Sequence, residues 1–430
     1  MNWNRKFLEI GGGELVDIFT THDYEGNESL DPAHWRWKFG ELRKLLDEFG
    51  MQGKPVWQTE RGWLGVRQDS FSPLSQAIRT MLHRDMLETF GIPSENSHFY
   101  YLNNGGYGGY PAFLWSQNGP HIGPLATRVR EAQVKGKKYA GELDFGPTGN
   151  KILMGIHFSG EDEDLYIVRN LGFADQTVSF GWKGSDTATV MDWAGNVLKD
   201  KPSHGELSLA VTQMPTYIRV AKGDTLTPPV MDFGKNIAGE AKFTFNGKSN
   251  ADGVRSAGGR NSNANNTASL NNGIVEMFHH GSPHHEGKMP FFREIVEDFP
   301  QMLEITFPEP KEVSKMLVLS VRADNPYSAL LDFDVQYLDD SNQWITVKEL
   351  RTPIPVSEFA DAPYSKVYSW IDDTNAFVVR FDKPVKASQF RLVILKTTAG
   401  LIANDPVARD GKDMPTVVDL REIEIYTTAL

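Results

Sequence analysis

Cysteine is absent from the 430 residues of this sequence. Without thiols, the chain has no disulfide framework and no thiolate metal site. The sequence also has no apolar run of about 18 residues, the length that a membrane-spanning helix requires. The residues from Met1 to Glu9 lack the apolar core of a signal peptide, so this stretch predicts no export signal.

Basic residues are fewer than acidic residues. Lys and Arg number 44 against 56 Asp and Glu, which gives a formal net charge of -12. Nucleic-acid binding depends on a basic surface that neutralises phosphates, so this balance argues against a nucleic-acid partner. It suits a protein that handles neutral or weakly charged ligands. The length allows two or three domains, since a domain typically takes roughly 100–200 residues.

The first region, 1–136, alternates between strand and helix signals. Pro32 follows a plausible N-cap, Asp31, and Gly50 lies where a helix would end. A second helix is predicted from Pro73 to a stop at Gly91. The expected strands are Leu15 to Thr20, Lys54 to Thr59 and Pro111 to Trp115, and the third helix runs from Leu125 to Val134. Such a series predicts a parallel sheet with right-handed crossovers.

After this region the hydrophobic period changes to two. The range 137–224 shows consecutive strand signals separated by turns, which predicts a small antiparallel β-sandwich. The range 232–430 contains a polar tract rich in asparagine and then about seven strand signals without helices. That pattern predicts a β jelly roll or sandwich. The predicted fold class is therefore multidomain, α/β followed by all-β.

Three phrases of the first region resemble the last three βα units of retaining glycoside hydrolases built on a (β/α)₈ barrel. They are Asp17 to Tyr24, Lys54 to Trp63 and Pro111 to Ser116. The resemblance implies a partial barrel in which Glu60, directly after an apolar strand, is the nucleophile. It also implies substrate-binding roles for a set of neighbouring residues: His22, Tyr24, Trp63 and Trp115.

Catalysis of this kind needs a second carboxyl group about 5–5.5 Å from the nucleophile, and no cofactor. In the family that the chain resembles, this acid/base follows an asparagine on the fourth strand. A whole barrel takes about 250 residues, roughly twice what 1–136 provides. We therefore expect the isolated chain to be inactive and a missing N-terminal barrel half to be needed. The alternative for Glu60 is a surface ion pair with Arg61 or Arg67.

The later regions carry resemblances of their own. Met191 to Asn196 and Pro215 to Val220 are similar to the small β-domain that follows such barrels. The C-terminal region resembles a discoidin or coagulation-factor C-type module with a galactose-binding-like fold, through Leu303 to Phe307, Gln343 to Val347 and Leu420 to Tyr426. The resemblance implies carbohydrate binding.

Two loops are candidate metal sites. A structural Ca²⁺ is an expectation from the galactose-binding-like resemblance, and Asn272-Gly273 could belong to its loop. The run from His279 to Glu286 holds four histidines and a glutamate, but its spacing matches no structural zinc pattern. It is interpreted either as a metal site or as a solvated loop.

Two functions follow as hypotheses. The first is a retaining glycosidase of which this chain forms the C-terminal part, acting on an oligo- or polysaccharide. The second is a non-catalytic carbohydrate-binding or adhesion protein in which the C-terminal module carries the function. Fold analogy by itself does not decide between them. An extracellular or periplasmic location is expected from the architecture.

Overall fold

The computed structural model describes these residues: 2–22, 32–61, 73–99, 115–116, 119–120, 122–171, 176–184, 188–199, 205–246, 267–271, 292–296, 298–321, 330–351, 374–397 and 416–427. The helices of this part are α1 (Asn2–Glu9), α2 (Pro32–Glu48), α3 (Pro73–Thr89), α4 (Ile122–Val134) and the single turn α5 (Gly146–Gly149). None of them is long and apolar enough to cross a membrane.

Parallel strands and helices alternate in the first region. Its strands are β1 (Phe19–His22), β2 (Val56–Arg61), β3 (Ser97–Phe99), β4 (Trp115–Ser116) and β5 (Gly119–Pro120). The strands β1, β2 and β3 form a parallel sheet in that order. Helices α2 and α3 begin at their predicted prolines, and both are followed by a left-handed glycine, Gly50 with φ 70° and Gly91 with φ 69°. The predicted β–α alternation is confirmed here.

One strand prediction was wrong in position, and another lies almost wholly outside the described residues. The first strand begins at Phe19 and not at Leu15, because Gly12–Leu15 forms a 3₁₀ turn that leaves Leu15 86% exposed. The strand that pairs with β2 is Ser97–Phe99, which the sequence did not predict. Of the predicted strand Pro111 to Trp115, residues 111–114 lie outside the described residues. Trp115 begins β4, which pairs antiparallel with β5 in a separate two-stranded sheet. The chain enters β3 soon after α3 because the intervening Ser94 is held by hydrogen bonds to the Glu88 side chain.

The predicted antiparallel sandwich is confirmed in the second region. Its strands are β6 (Lys138–Glu142), β7 (Leu153–Ser159), β8 (Glu163–Asn170), β9 (Gln176–Lys183), β10 (Ala188–Met191), β11 (Val197–Lys199), β12 (Glu206–Val211), β13 (Thr216–Ala221) and β14 (Thr225–Thr227). A six-stranded sheet has the order β11-β10-β13-β8-β7-β6, and a three-stranded sheet has the order β12-β9-β14. Strand β14 pairs antiparallel with β9 at the edge of the three-stranded sheet.

The six-stranded sheet is covered on both faces. On one face, Tyr166 and Val168 of β8 pack against residues of the three-stranded sheet such as Phe180. On the other face, Leu165 and Ile167 pack in a cluster with residues of α2 and α3. This double burial explains why β8 is apolar on both sides rather than alternating, apart from the polar residues at its ends.

The C-terminal region is an antiparallel seven-stranded sheet. Its strands are β15 (Lys242–Phe245), β16 (Phe292–Val296), β17 (Gln301–Val321), β18 (Leu330–Leu338), β19 (Trp344–Leu350), β20 (Thr374–Thr397) and β21 (Thr416–Tyr426). The order is β16-β21-β17-β20-β18-β19, and β15 pairs with the first part of β17.

The two long strands of this region bend at their breaks in register. Strands β17 and β20 pair along nearly their whole length, with shifts between Thr306 and Lys311 and between Val313 and Lys315. Pro308, Pro310 and Pro384 lie in the unpaired stretches, where a missing N–H costs no ladder bond. The first part of β17 pairs with β15 and the last part with β21, so the bent strands enclose one apolar core. This matches the predicted β-sandwich class.

Candidate active site at the carboxyl end of the parallel strands

The carboxyl ends of β1 and β2 lie side by side. Phe19, Thr20 and Thr21 pair in register with consecutive residues of β2, and His22 then pairs with Glu60. The register shifts between Thr21 and His22, which leaves one extra residue on β2. Such a bulge changes the direction of the side chains that follow it, and bulges are frequent next to active sites. The sheet therefore places His22 and Glu60 opposite each other at the end where parallel α/β folds bind ligands.

His22 contacts two side chains of β2. Its Nδ1 lies 3.3 Å from Oε2 of Glu60, and its Nε2 lies 3.1 Å from Oγ1 of Thr59. An ionised carboxylate only accepts hydrogen bonds, so the proton between His22 and Glu60 belongs on Nδ1. In the neutral ring Nε2 then accepts, and the Thr59 hydroxyl donates to it. Both ring nitrogens of His22 thus contact side chains of β2, and one of these contacts is to the Glu60 carboxylate.

Glu60 and His22 remain open to solvent. The Glu60 side chain is 27% exposed and that of His22 is 51% exposed. A carboxylate at a strand end that is oriented by a donor and reachable from outside can attack a bound substrate or hold a hydroxyl group. In the structure Glu60 contacts His22. Of the two arginines that were the alternative partners of Glu60, Arg67 lies outside the described residues, and only the backbone of Arg61 is described.

A buried hydrogen bond supports β2 and β3 below this edge. The Ser97 hydroxyl donates to Oε1 of Gln58 at 3.1 Å, and Gln58 is fully buried. Gln58 is two residues before Glu60, so this bond holds β2 against β3 directly before the candidate site. The Trp57 ring lies 6.1 Å from the exposed His98 ring on β3.

The other predicted substrate-binding residues are not brought to this edge by the described structure. Tyr24 and Trp63 lie outside the described residues. Trp115 lies in β4, away from the parallel ladder, and only its backbone is described. Sequence reasoning missed Gln58, Ser97 and His98; the available signal was a polar residue, Gln58, inside an otherwise apolar strand.

No metal site is found in the part of the chain that the structure covers. Among those residues there is no group of three or more His, Asp or Glu side chains suited to an ion. The two candidate loops, Asn272-Gly273 and His279 to Glu286, lie outside them.

No protein-family model and no curated protein matches the chain. Among solved structures it is similar to the family 32 carbohydrate-binding module from Streptococcus pneumoniae EndoD, with 13% identity, TM-score 0.28, and coverage of 45% of this chain and 99% of that one. It is similar to a family 39 glycoside hydrolase from Bacteroides cellulosilyticus WH2, with 18% identity and TM-score 0.40. That match covers 50% of this chain and 46% of the hydrolase, less than half of its length.

A further similarity is to the family 32 module of C. perfringens NanJ, solved in complex with galactose. It has 10% identity and TM-score 0.26 and covers 44% of this chain and 94% of that one. Similarities at these identities and TM-scores assign neither a fold nor an activity to the chain.

Proposed function

We propose that this chain is the nucleophile-bearing part of a retaining glycoside hydrolase, joined to a carbohydrate-binding β-module. The observation that carries the proposal is the Glu60 carboxylate at the carboxyl end of β2, 3.3 Å from His22 at the carboxyl end of the parallel strand β1. In (β/α)₈ enzymes the chemistry lies at this end of the strands. The three parallel strands with α2 and α3 are then the last units of such a barrel.

The proposed chemistry proceeds in two steps. The Glu60 carboxylate attacks the anomeric carbon, an ester bond forms, and the glycosidic bond breaks as the leaving group takes a proton from the acid/base residue. Water then attacks the same carbon, gives a proton back to that residue and releases Glu60. His22 contacts one oxygen of the Glu60 carboxylate at 3.3 Å. In the family that the chain resembles, the acid/base residue lies on an earlier strand of the barrel. Tyr24, Trp63 and Trp115 are proposed to contact the sugar.

Covalent trapping tests the nucleophile. A 2-deoxy-2-fluoro glycosyl fluoride forms the same ester but loses it slowly, so the labelled enzyme accumulates. We expect the label on the peptide that contains Glu60, using the gene product that includes residues 1–430 and any coding sequence that precedes them. His22→Ala should slow labelling by about tenfold or more, the typical range for lost positioning of a catalytic group.

A matched variant controls this experiment. Glu95→Gln removes an exposed carboxylate in the 3₁₀ turn before β3 and should label at the wild-type rate. Glu60→Gln should not label. Hydrolysis that survives in Glu60→Gln, or a label on a different carboxylate, would show that Glu60 is not the nucleophile.

A non-catalytic carbohydrate-binding or adhesion protein is the second candidate. It is favoured by the C-terminal region, where the described strands enclose one apolar core. This function predicts retention by polysaccharides with no labelling of Glu60 and no hydrolysis. An extracellular or periplasmic location and a structural Ca²⁺ in the C-terminal loops are parts of both proposals. A fall in Tm on adding EDTA, reversed by Ca²⁺, would test the ion.

A further inference from the structure

A row of polar side chains crosses the outer face of the C-terminal sheet. Strand pairing places its members directly opposite one another, from β15 through β17, β20 and β18 to β19. We name this row the polar strip; its residues are Thr244, Glu304, Arg391, Gln336 and Thr346. Side chains next to them in sequence, such as Ile305 and Phe390, point the other way into the apolar core.

Hydrogen bonds hold the polar strip in one arrangement. The Thr244 hydroxyl donates to Oε2 of Glu304 at 3.0 Å. Arg391 donates from Nε to Oε1 of Gln336 at 2.7 Å, and Gln336 donates from Nε2 to Oγ1 of Thr346 at 3.1 Å. The side chains are therefore fixed before any ligand arrives, which lowers the entropy lost on binding.

Arg391 also lies against an aromatic ring. Its Cζ is 4.1 Å from the ring centroid of Trp344, the first residue of β19. A guanidinium held over an aromatic face keeps its N–H donors in a fixed plane. No described residue accepts a hydrogen bond from the Nη atoms of Arg391, so these donors are available to a ligand. Trp344 is half-buried and adds apolar surface beside them.

The charge of the polar strip indicates the kind of ligand. Glu304 and Arg391 are direct cross-strand partners, so the strip carries one negative and one positive group and no net charge. An anionic ligand would meet Glu304, and a cationic one would meet Arg391. A sugar hydroxyl both donates and accepts, so it suits a row in which donors and acceptors are mixed. The apolar C–H face of a sugar ring packs well on an aromatic surface such as that of Trp344.

The dimensions fit an extended ligand. Five neighbouring strands about 4.8 Å apart span about 19 Å from the first to the last. On one side the strip is bordered by Met302 and Val393, which pair with each other in the same ladder. We propose that the polar strip, together with Trp344, binds the chain of a neutral polysaccharide that runs across the strands. This inference rests on the proposed carbohydrate-binding function and names its site.

Affinity electrophoresis of the whole chain tests the proposal. Native gels would contain galactomannan, arabinogalactan, xylan or mixed-linkage β-glucan, with polygalacturonate as the anionic comparison. We expect retardation by at least one neutral polysaccharide and none by polygalacturonate. Arg391→Met and Trp344→Ala should each weaken that binding at least tenfold. Gln336→Ala should weaken it less, because it removes one amide and leaves the ring.

Ile345→Ala is the matched control. Ile345 lies between Trp344 and Thr346 on β19 and faces away from the strip, so its variant should bind as the wild type does. Thermal unfolding of each variant shows whether β19 is intact. Should Trp344→Ala not fold, Arg391→Met and Gln336→Ala still decide the result, since neither removes core volume.

The outcomes separate this inference from the function on which it rests. Retardation of the wild type that all strip variants retain would place the sugar site elsewhere and overturn the polar strip alone. Retardation by polygalacturonate that disappears at high salt would show charge-driven binding and overturn the neutral ligand. A wild type that no polysaccharide retards would overturn the carbohydrate-binding function and the strip together.

Discussion

Two interfaces of the molecule differ in what they bury. The first, between helices α3 and α4 and strand β8, buries a carboxylate and two guanidinium groups. The second, between the sandwich and the C-terminal sheet, buries mostly hydrocarbon side chains. In the first interface, Asp85 accepts from Nε of Arg130 at 2.7 Å and also from Arg169. All three side chains are at most 2% exposed. In the second, Leu317 and Leu319 of β17 belong to the apolar cluster of the sandwich.

The first interface depends on charge balance. Burial alone would lower the pKa of Arg130, but Asp85, Glu131 and Glu88 outweigh it and raise the pKa. Burial raises the pKa of Glu88, although Arg130 opposes that shift. Arg130 also donates to the Ser94 hydroxyl at 2.6 Å. The Arg130 guanidinium, which pairs with Asp85 of α3, therefore also holds Ser94 in the turn before β3.

Among the described residues, the second interface has one ion pair in an apolar setting. Lys151 of the sandwich pairs with Glu424, which also accepts from the Tyr426 hydroxyl at 2.6 Å. The Tyr426 ring meets that of Phe233 edge to face at 5.4 Å. Burial and the Glu424 charge raise the pKa of Tyr426, so its hydroxyl stays protonated. An apolar interface loses stability in proportion to lost volume, while a charged one fails when a single partner is removed.

Asp85→Ala should have the largest effect. It leaves two buried guanidinium groups without their shared carboxylate, and removing one member of a buried ion pair typically costs about 3–5 kcal/mol. We expect amide hydrogen exchange to increase in α3, α4 and β3, while β17 and β20 keep their protection.

A compensated variant sharpens this result. Asp85→Leu combined with Arg130→Met, Arg169→Met and Glu88→Gln removes these three charges and also the buried carboxylate that pairs with Arg130. This variant should recover much of the lost stability, because buried ion groups can be replaced by uncharged ones. Normal protection of α3 in Asp85→Ala would contradict the view that charge balance holds this interface.

Leu319→Ala, in the second interface, should have a smaller effect. Leu319 is fully buried against the sandwich, and a leucine-to-alanine change in a core costs about 3 kcal/mol. Exchange should increase in β17 and β21, with α3 unaffected. Leu319→Met is the control, because a volume-conserving change costs less than about 1.5 kcal/mol. Equal losses in both variants would mean that shape, not lost volume, controls the interface.

The sequence predicted the elements that local punctuation defines. Proline and glycine marked the starts of α2 and α3 and the turns after them, since these residues restrict or permit particular backbone angles. The change to a period of two predicted antiparallel sheets after the first region. The neighbouring positions of His22 and Glu60 follow from parallel strand order, which local sequence can indicate. Their catalytic roles remain predictions.

The features that the sequence did not predict are formed by residues that are far apart in the chain. Strand β3 has three residues and little apolar character, so its sequence gives no strand signal. The cluster around Asp85 joins residues that are 45 and 84 positions apart. Its one local signal was Arg169, a charge at the end of an apolar strand. The polar strip likewise exists only through the register of five strands.

The smallest effect should come from an ion pair of the same chemistry at the surface. Arg5 on α1 donates two hydrogen bonds of 2.6 Å to Glu48 on α2, but the side chains are 44% and 52% exposed. Water solvates both groups when they separate, so such pairs add little stability. Arg5→Met should leave Tm and the exchange of α2 unchanged within error, at low and high salt. If it destabilised the protein as much as Asp85→Ala, ion-pair geometry rather than burial would determine which charges hold this molecule together.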